Sequence, residues 1–325
     1  MTIDNNSFLL SQRKLYLFIV TFVMSTISVL RIFGFDRDYY SYQRFYEKIS
    51  IGGFSSRFEP GFELVANIFK LLAGTDSFVL FLFFMAFVSL YLKFSILSNI
   101  RHYLLLLPIY FILIMPLHEM MQIRIALATG VMYWALYKSI HSDITLLKKA
   151  LLIGIGVSFH YSVIILIPFI LFPNIFYKWP KILLIIVTIV PAVLINYGMD
   201  TVTYFVPFVE YYIQQVNFGN SVDINPYSSR NIIFIMILLI GMLNIQRIPK
   251  VSLPWFYVSL MGVVLWYSLM WLPVFAHRLL EITVFSYLVW VPSLPKISRI
   301  VSLGLLCILA VYFLYRALFI SPFFS

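Results

Sequence analysis

The sequence predicts an all-α protein that passes repeatedly through a lipid bilayer, and three observations predict it. Hydrophobic residues make up 62% of the 325 residues and charged residues only 11%, less than half of the roughly 25% that a soluble domain carries. The apolar residues fall in long unbroken runs, not in alternation. Lys and Arg collect in the short connections between those runs. A soluble fold cannot bury so much apolar side chain, so lipid must be the solvent for most of the chain. Disordered, coiled-coil, disulfide-scaffold and soluble-enzyme classes are excluded on the same ground. Cys307 stands alone inside an apolar run, which leaves no intramolecular disulfide and no thiolate metal cluster. The net charge of +10 is spread over short loops. It reads as a positive-inside signature, and no basic tract interleaved with stacking aromatics offers itself to nucleic acid.

A helix needs about 20 apolar residues to span the hydrocarbon core. Runs that qualify or nearly qualify are 15–33, 77–98, 103–117, 120–140, 181–197, 231–246, 253–272, 278–293 and 300–320. With 150–172 they imply about 9–11 transmembrane helices in one integral membrane domain, 1–325. Continuous runs exclude an outer-membrane barrel, whose strands alternate. The first run is too long for a cleavable signal and lacks a small-residue cleavage site, so it is expected to remain as an anchor.

Orientation follows from the basic residues. With Arg13 and Lys14 in the cytoplasm, the inner loops hold Arg101, Lys138, Lys148, Lys149, Lys178, Lys181, Arg247, Lys250, Lys296 and Arg299. Only Asp4 and Asp143 among the acids fall on that side. Residues 138–149 and 174–181 then both read as cytoplasmic, so 150–172 must leave and return on one side. Two half-spans of about eleven residues reach roughly 16 Å each at 1.5 Å per residue. A broken or re-entrant helix is therefore expected at 150–172, turning near Ser158-Phe159-His160-Tyr161-Ser162. One straight span, with 198–230 then cytoplasmic, is the alternative. The outer loops are 34–76, which contains a short apolar helix at 61–73, and 198–230. The latter is rich in Tyr and Asn (Tyr204, Tyr211, Tyr212, Asn217, Asn220, Asn225, Tyr227), side chains that suit sugar hydroxyls and sugar faces but also line membrane interfaces.

Ionisable groups within or beside apolar spans are functional-site candidates. Asp36-Arg37-Asp38-Tyr39-Tyr40 precedes Arg57-Phe58-Glu59-Pro60-Gly61-Phe62-Glu63. Pro60 starts a helix, which puts Glu59 at its positive end, either as a simple cap or as a functional carboxylate. Asp36 and Asp38 have the spacing with which some transferases hold a divalent cation, a weak signal on its own. Gln122-Ile123-Arg124 opens the span 120–140. Its guanidinium suits phosphate, or else snorkels to the interface. His160 lies inside an apolar stretch, with no second His at zinc-ligand spacing. His277-Arg278 and Glu281 open the span 278–293, where Arg278 either pairs with Glu281 or meets a substrate. All four groups fall on the outer side. A carboxylate, a His and two arginines there fit an anionic, lipid-linked substrate. The arginines would neutralise a diphosphate leaving group, and the carboxylate or the His would take a proton from a hydroxyl.

The ordered set of Asp36/Asp38 with Tyr39/Tyr40, Glu59-Pro60-Gly61-Phe62, Gln122-x-Arg124-x-x-x-Ala128, Phe159-His160-x-Ser162 and a late Arg278 resembles the EpsG family of Wzy-type polysaccharide polymerases. The resemblance covers residues 30–285. Ile123 separates Gln122 from Arg124, where the family often has Arg-Gln adjacent. The resemblance implies a GT-C-like fold in the inner membrane. It implies a glycosyltransferase that joins undecaprenyl-diphosphate-linked repeat units of O-antigen, capsule or exopolysaccharide at the periplasmic face, with no metal or other cofactor. Glu59 or His160 would activate the acceptor, while Arg124 and Arg278 would bind the diphosphate, with Gln122, Asp38 and Tyr39 also at the substrate. A chain-length regulator and a flippase are the implied partners. Two rivals remain. A membrane O-acetyltransferase usually carries a His-Arg pair in its first spans, whereas here no His precedes His102. A lipid-linked oligosaccharide flippase usually shows internal repeats, and none is visible.

Overall fold

A computed structural model of the chain describes residues 5–31, 38–49, 52–53, 58–142, 144–197 and 225–320. Asp36, Arg37, Arg57 and the part of the outer loop carrying Tyr204, Tyr211, Tyr212, Asn217 and Asn220 lie outside the described residues. The described chain is helical throughout its regular structure, and no strand occurs in it. Every apolar run named above carries a helix. Among the described residues, four are long and apolar enough to cross a membrane, at Phe78–Leu97, Lys250–Ser268, Pro273–Ser293 and Lys296–Phe319. Shorter apolar helices accompany them, so the molecule is an all-α, multi-pass membrane protein.

Two compact units form, Met1–Ile170 with Tyr312–Ser325, and Leu171–Val311. In the first, α1 (Asn5–Val29) lies along α4 (Phe78–Leu97) through edge-on ring contacts, Phe18 on Phe87 and Phe22 on Phe83. The other flank of α1 leaves Ile19 and Val23 about half exposed. That would be costly in water and is the ordinary state of a lipid-facing side chain. The connection between them contains two helices. The sequence reading expected one of these; α2 (Tyr39–Lys48) is the correction. It forms because Tyr42, Phe45 and Tyr46, at helical spacing, are buried together. Its last carbonyls are capped from outside: Lys70 Nζ donates to the carbonyls of Tyr46, Glu47 and Ile49 at 3.0, 2.9 and 2.6 Å.

Lys70 belongs to α3 (Pro60–Ala73), the expected short helix. Proline in its first turn lacks only an N–H that would have had no helical partner. Gly74, at φ 79°, ends it in a conformation other residues resist. α3 buries Phe62 and Ala66 and exposes Leu64, Ile68, Leu71 and Leu72, so both of its flanks are apolar.

Next come α5 (Tyr103–Leu113), a π-helical turn at Pro116–Met121, and α6 (Ile123–His141). α6 packs tightly on α4: Ser89 Oγ donates to the Ala126 carbonyl at 2.7 Å, and Gly130 leaves room for the Ser89 backbone. α7 (Leu146–Phe159) follows. It breaks where the sequence predicted an interruption, at His160, whose extended backbone (φ −163°, ψ 123°) leads into a 3₁₀ turn at Tyr161–Leu166 and then α8 (Ile167–Leu171). His160 N–H still reaches the Gly156 carbonyl, and the residue is buried in protein, the condition under which non-helical backbone survives in a membrane protein.

The second unit contains α9 (Pro173–Lys178), α10 (Pro180–Tyr197), α11 (Ser229–Leu243), α12 (Leu253–Ser268), α13 (Pro273–Trp290) and most of α14 (Lys296–Tyr315). α12 and α13 are its closest pair. A Cβ on Gly262 would fall 1.8 Å from Thr283 Oγ1, and Trp290 Nε1 donates to Ser259 Oγ at 2.9 Å. Small residues are what let two membrane helices approach this closely.

Candidate active site

Three of the candidates from the sequence meet in the first unit. Glu59 precedes the first turn of α3, but its side chain does not cap that helix. Instead Arg124 Nη1 donates to Glu59 Oε2, and His160 Nδ1 lies 2.5 Å from Glu59 Oε1. The three residues come from the start of α3, the first turn of α6 and the break after α7. All three side chains are largely shielded from solvent.

Gly61 makes this approach possible. A Cβ there would sit 2.4 Å from Ser158 Oγ and 2.8 Å from the Ser158 carbonyl oxygen. Only glycine allows the first turn of α3 to lie on the last turn of α7, two residues from Glu59 on one side and two from His160 on the other. The guanidinium of Arg124 stands over the Phe58 ring, 4.6 Å from its centroid, with Phe62 and Tyr42 at 5.9 and 6.0 Å. Those faces add cation–π attraction and exclude water from the ion pair.

Burial pushes the Glu59 carboxyl up, but the hydrogen bond with His160 and the charges of Arg124 and His160 outweigh it. The net effect holds the carboxyl down at about 2. Glu59 is therefore ionised at any physiological pH. A carboxylate only accepts, so the proton between it and His160 resides on Nδ1. In the neutral imidazole the lone pair is then on Nε2. Carboxylate, oriented imidazole and guanidinium together form a constellation able to take a proton from a hydroxyl while facing an anion.

The remaining candidates sit elsewhere. Gln122 occupies the position between the π turn and α6, where its side chain makes no capping bond to the helix. Asp38 is an exposed residue preceding α2. The Tyr39 ring packs edge-on against Phe78 at 5.5 Å and has the Arg31 guanidinium 5.3 Å from its centroid. Arg278 is on α13 of the second unit, where Glu281 lies 4.0 Å from Arg230, a residue the sequence reading did not single out. Among the described residues no group of three His, Cys, Asp or Glu is placed to hold a metal ion.

The sequence reading also passed over a fully buried ionic cluster. Lys93 Nζ on α4 is 2.7 Å from Glu119 Oε1 in the π turn, and both side chains are 0% exposed. Tyr110 Oη donates to the same oxygen at 2.7 Å, Ser89 Oγ lies 3.0 Å from it, and Ser28 Oγ donates to the Glu119 carbonyl at 2.8 Å. The cluster ties α1, α4 and α5 to the turn that leads into Arg124. Its one sequence signal was a single lysine within the apolar run 77–98.

The helices and the buried ionic site define a multi-pass membrane protein with a carboxylate–imidazole–guanidinium centre. The chain belongs to the EpsG family, whose sequence model matches residues 14–324, nearly the whole length. That membership supports a polysaccharide polymerase-like role. No curated protein and no solved structure matches the chain.

Proposed function

We propose that this protein joins undecaprenyl-diphosphate-linked oligosaccharide repeat units into a surface polysaccharide at the periplasmic face of the inner membrane. Family membership supports the class of reaction. The observation that carries the chemistry is the meeting of Glu59, Arg124 and His160. In this reading His160 Nε2 takes the proton of the acceptor hydroxyl. The hydroxyl oxygen forms a bond to the anomeric carbon of the growing chain, and the bond from that carbon to the lipid diphosphate breaks. Glu59 holds the ring through Nδ1 and stabilises the imidazolium that forms, as the carboxylate does in other acid–base dyads. A carboxyl held at about 2 is a poor base, so the positioning role falls to Glu59 and the base role to His160. This reverses the assignment that the positive end of α3 alone favours. Arg124 has more N–H donors than its bond to Glu59 uses, and these face charge developing on the diphosphate.

The test is polymer formation in vitro from purified lipid-linked repeat units. His160→Phe should lose about two to four orders of magnitude in rate, the usual worth of a general base. Glu59→Gln should lose less, since an amide can still accept from Nδ1. Arg124→Ala should abolish elongation, and Arg124→Lys should restore only part of it, because lysine lacks the planar fork. Near-normal turnover in His160→Phe beside a dead Glu59→Gln would return the base role to Glu59. In cells, deletion should leave single repeat units on the surface; a surface with none would indicate a flippase and sink the polymerase reading.

A further inference from the structure

Glu119 is held in the fold through both its side chain and its backbone. Its Oε1 takes Lys93 Nζ from α4 and Tyr110 Oη from α5, each at 2.7 Å, and its carbonyl takes Ser28 Oγ from α1 at 2.8 Å. Its Oε2 has no hydrogen-bond partner among the described residues. Replacing a fully buried ion pair by apolar side chains of similar volume is often neutral or stabilising, and an unbonded carboxylate oxygen adds to the cost of keeping the pair. Stability is therefore a weak reason for this pair to exist. The best-attested use of a buried ionic group is to fix register.

Register is what the adjacent chain needs. Glu119 lies in the π-helical turn, and Arg124 follows five residues on, in the first turn of α6. The Gln122 N–H closes that turn on the Leu117 carbonyl at 2.8 Å, reaching five residues back where an α-helix reaches four. Such a turn holds one residue more than an α-helical one, and each residue of an α-helix turns the chain by about 100°. Losing the extra residue would rotate Arg124 by about that angle around α6 and take its guanidinium off Glu59. Ser89 joins the cluster to α6 directly: its Oγ donates to the carbonyl of Ala126, two residues beyond Arg124, at 2.7 Å, and lies 3.0 Å from Glu119 Oε1.

We propose that Lys93 and Glu119 are positioning residues: their ion pair sets the rotational phase of α6 and so delivers Arg124 to Glu59 and His160. That Arg124 then serves polymerisation rests on the function proposed above; where Arg124 points does not.

The test is a double-mutant cycle on the full-length protein in detergent, Arg124→Ala against Glu59→Gln by thermal melting, run in wild type and in a Lys93→Met/Glu119→Met background. In wild type the two melting shifts should fail to add, because the side chains pair. In the methionine background, which should melt near wild type, the shifts should add, because Arg124 no longer meets Glu59. Polymer formation there should fall about 100-fold in kcat, the scale of a misplacement of about 1 Å. Exchanging the pair, Lys93→Glu with Glu119→Lys, keeps the ion pair and the summed side-chain length, and should restore the coupling and much of the rate. Shifts that still fail to add in the methionine background, or a swapped pair that behaves like the methionine pair, overturn the proposal. Should the methionine background fail to fold, Tyr110→Phe replaces it, taking one bond from Glu119 without stranding a charge: weakened coupling supports the proposal, and coupling of wild-type size overturns it. Shifts that add while the rate stays normal leave the placement standing and remove Arg124 from the chemistry. Wild-type protein that forms no polymer defeats the polymerase reading, and the melting cycle still decides this one.

Discussion

Replacing Gly61 by Ala tests whether the meeting of α3 and α7 creates the active site. The new methyl carbon would lie 2.8 Å from the Ser158 carbonyl oxygen, against the 3.4 Å where ordinary contact begins. The hydroxyl of Ser158, at 2.4 Å, can rotate away, but the carbonyl is held in the last turn of α7. The two helices must therefore separate by roughly 0.6 Å, with Glu59 carried on one and His160 on the other. Their contact of 2.5 Å would lengthen and lose alignment. Misplacement by about 1 Å can cost on the order of 100-fold in rate, so the smaller shift should cost about tenfold or more. The assay is in vitro polymer formation, with protein amount and melting temperature measured in the same detergent. Two glycines of α7 give the comparison. Gly154→Ala has nothing within 4 Å and should be neutral. In Gly156→Ala the methyl group crowds the flexible side chain of Met132 at 2.7 Å and makes only ordinary contact with the Ala128 carbonyl at 3.5 Å, so a modest loss is expected. If Gly61→Ala turns over like Gly154→Ala while folding normally, close approach of these helices does not control the site.

Three further outcomes are expected. Lys93→Met should destabilise the protein by about 3–5 kcal/mol by stranding a buried carboxylate, while Lys93→Met combined with Glu119→Met should recover most of that loss in a thermal melt; equal melting of the single and double variants would show that the pair is uncoupled. The Glu59 carboxyl is lowered from 4.5 to about 2 in the folded protein, so its contribution to stability is complete above pH 4.5 and fades as pH falls toward 2. Acid melting curves should then show a steeper loss in wild type than in Glu59→Gln, and parallel curves would contradict the assignment. Reporter fusions should place residue 145 in the cytoplasm and residues 50 and 215 in the periplasm; a cytoplasmic signal at 215 would replace the same-side return of 150–172 with one straight span.

The three residues that meet at the candidate site could each be picked out before any fold was known, for a specific reason. Arg124 and His160 each lie within or at the start of an apolar stretch, where an ionisable group costs free energy unless something uses it, and Glu59 stands just before the proline that opens a helix. Partner choice was not readable. The nearest acid to Arg124 in sequence is Glu119, yet Arg124 pairs with Glu59, 65 residues away, and Glu119 pairs with Lys93. Arg230 was overlooked because it stands at the edge of an apolar run, where a basic residue is ordinary. Only the fold places it beside His277, 47 residues on.

By itself the sequence determined what depends on local composition. The apolar runs had to become helices, because a bilayer offers backbone groups no other partner, and their lengths and basic flanks set where helices occur. It also marked where one helix starts and another is interrupted, at Pro60 and around His160. Only the tertiary structure decided which polar groups face each other. Such pairings depend on how helices lie against one another, and that is set by close contacts such as Gly61 on Ser158 and Gly130 on Ser89, made between residues 97 and 41 positions apart. A glycine signals locally that something can come near; what comes near is a property of the packed bundle.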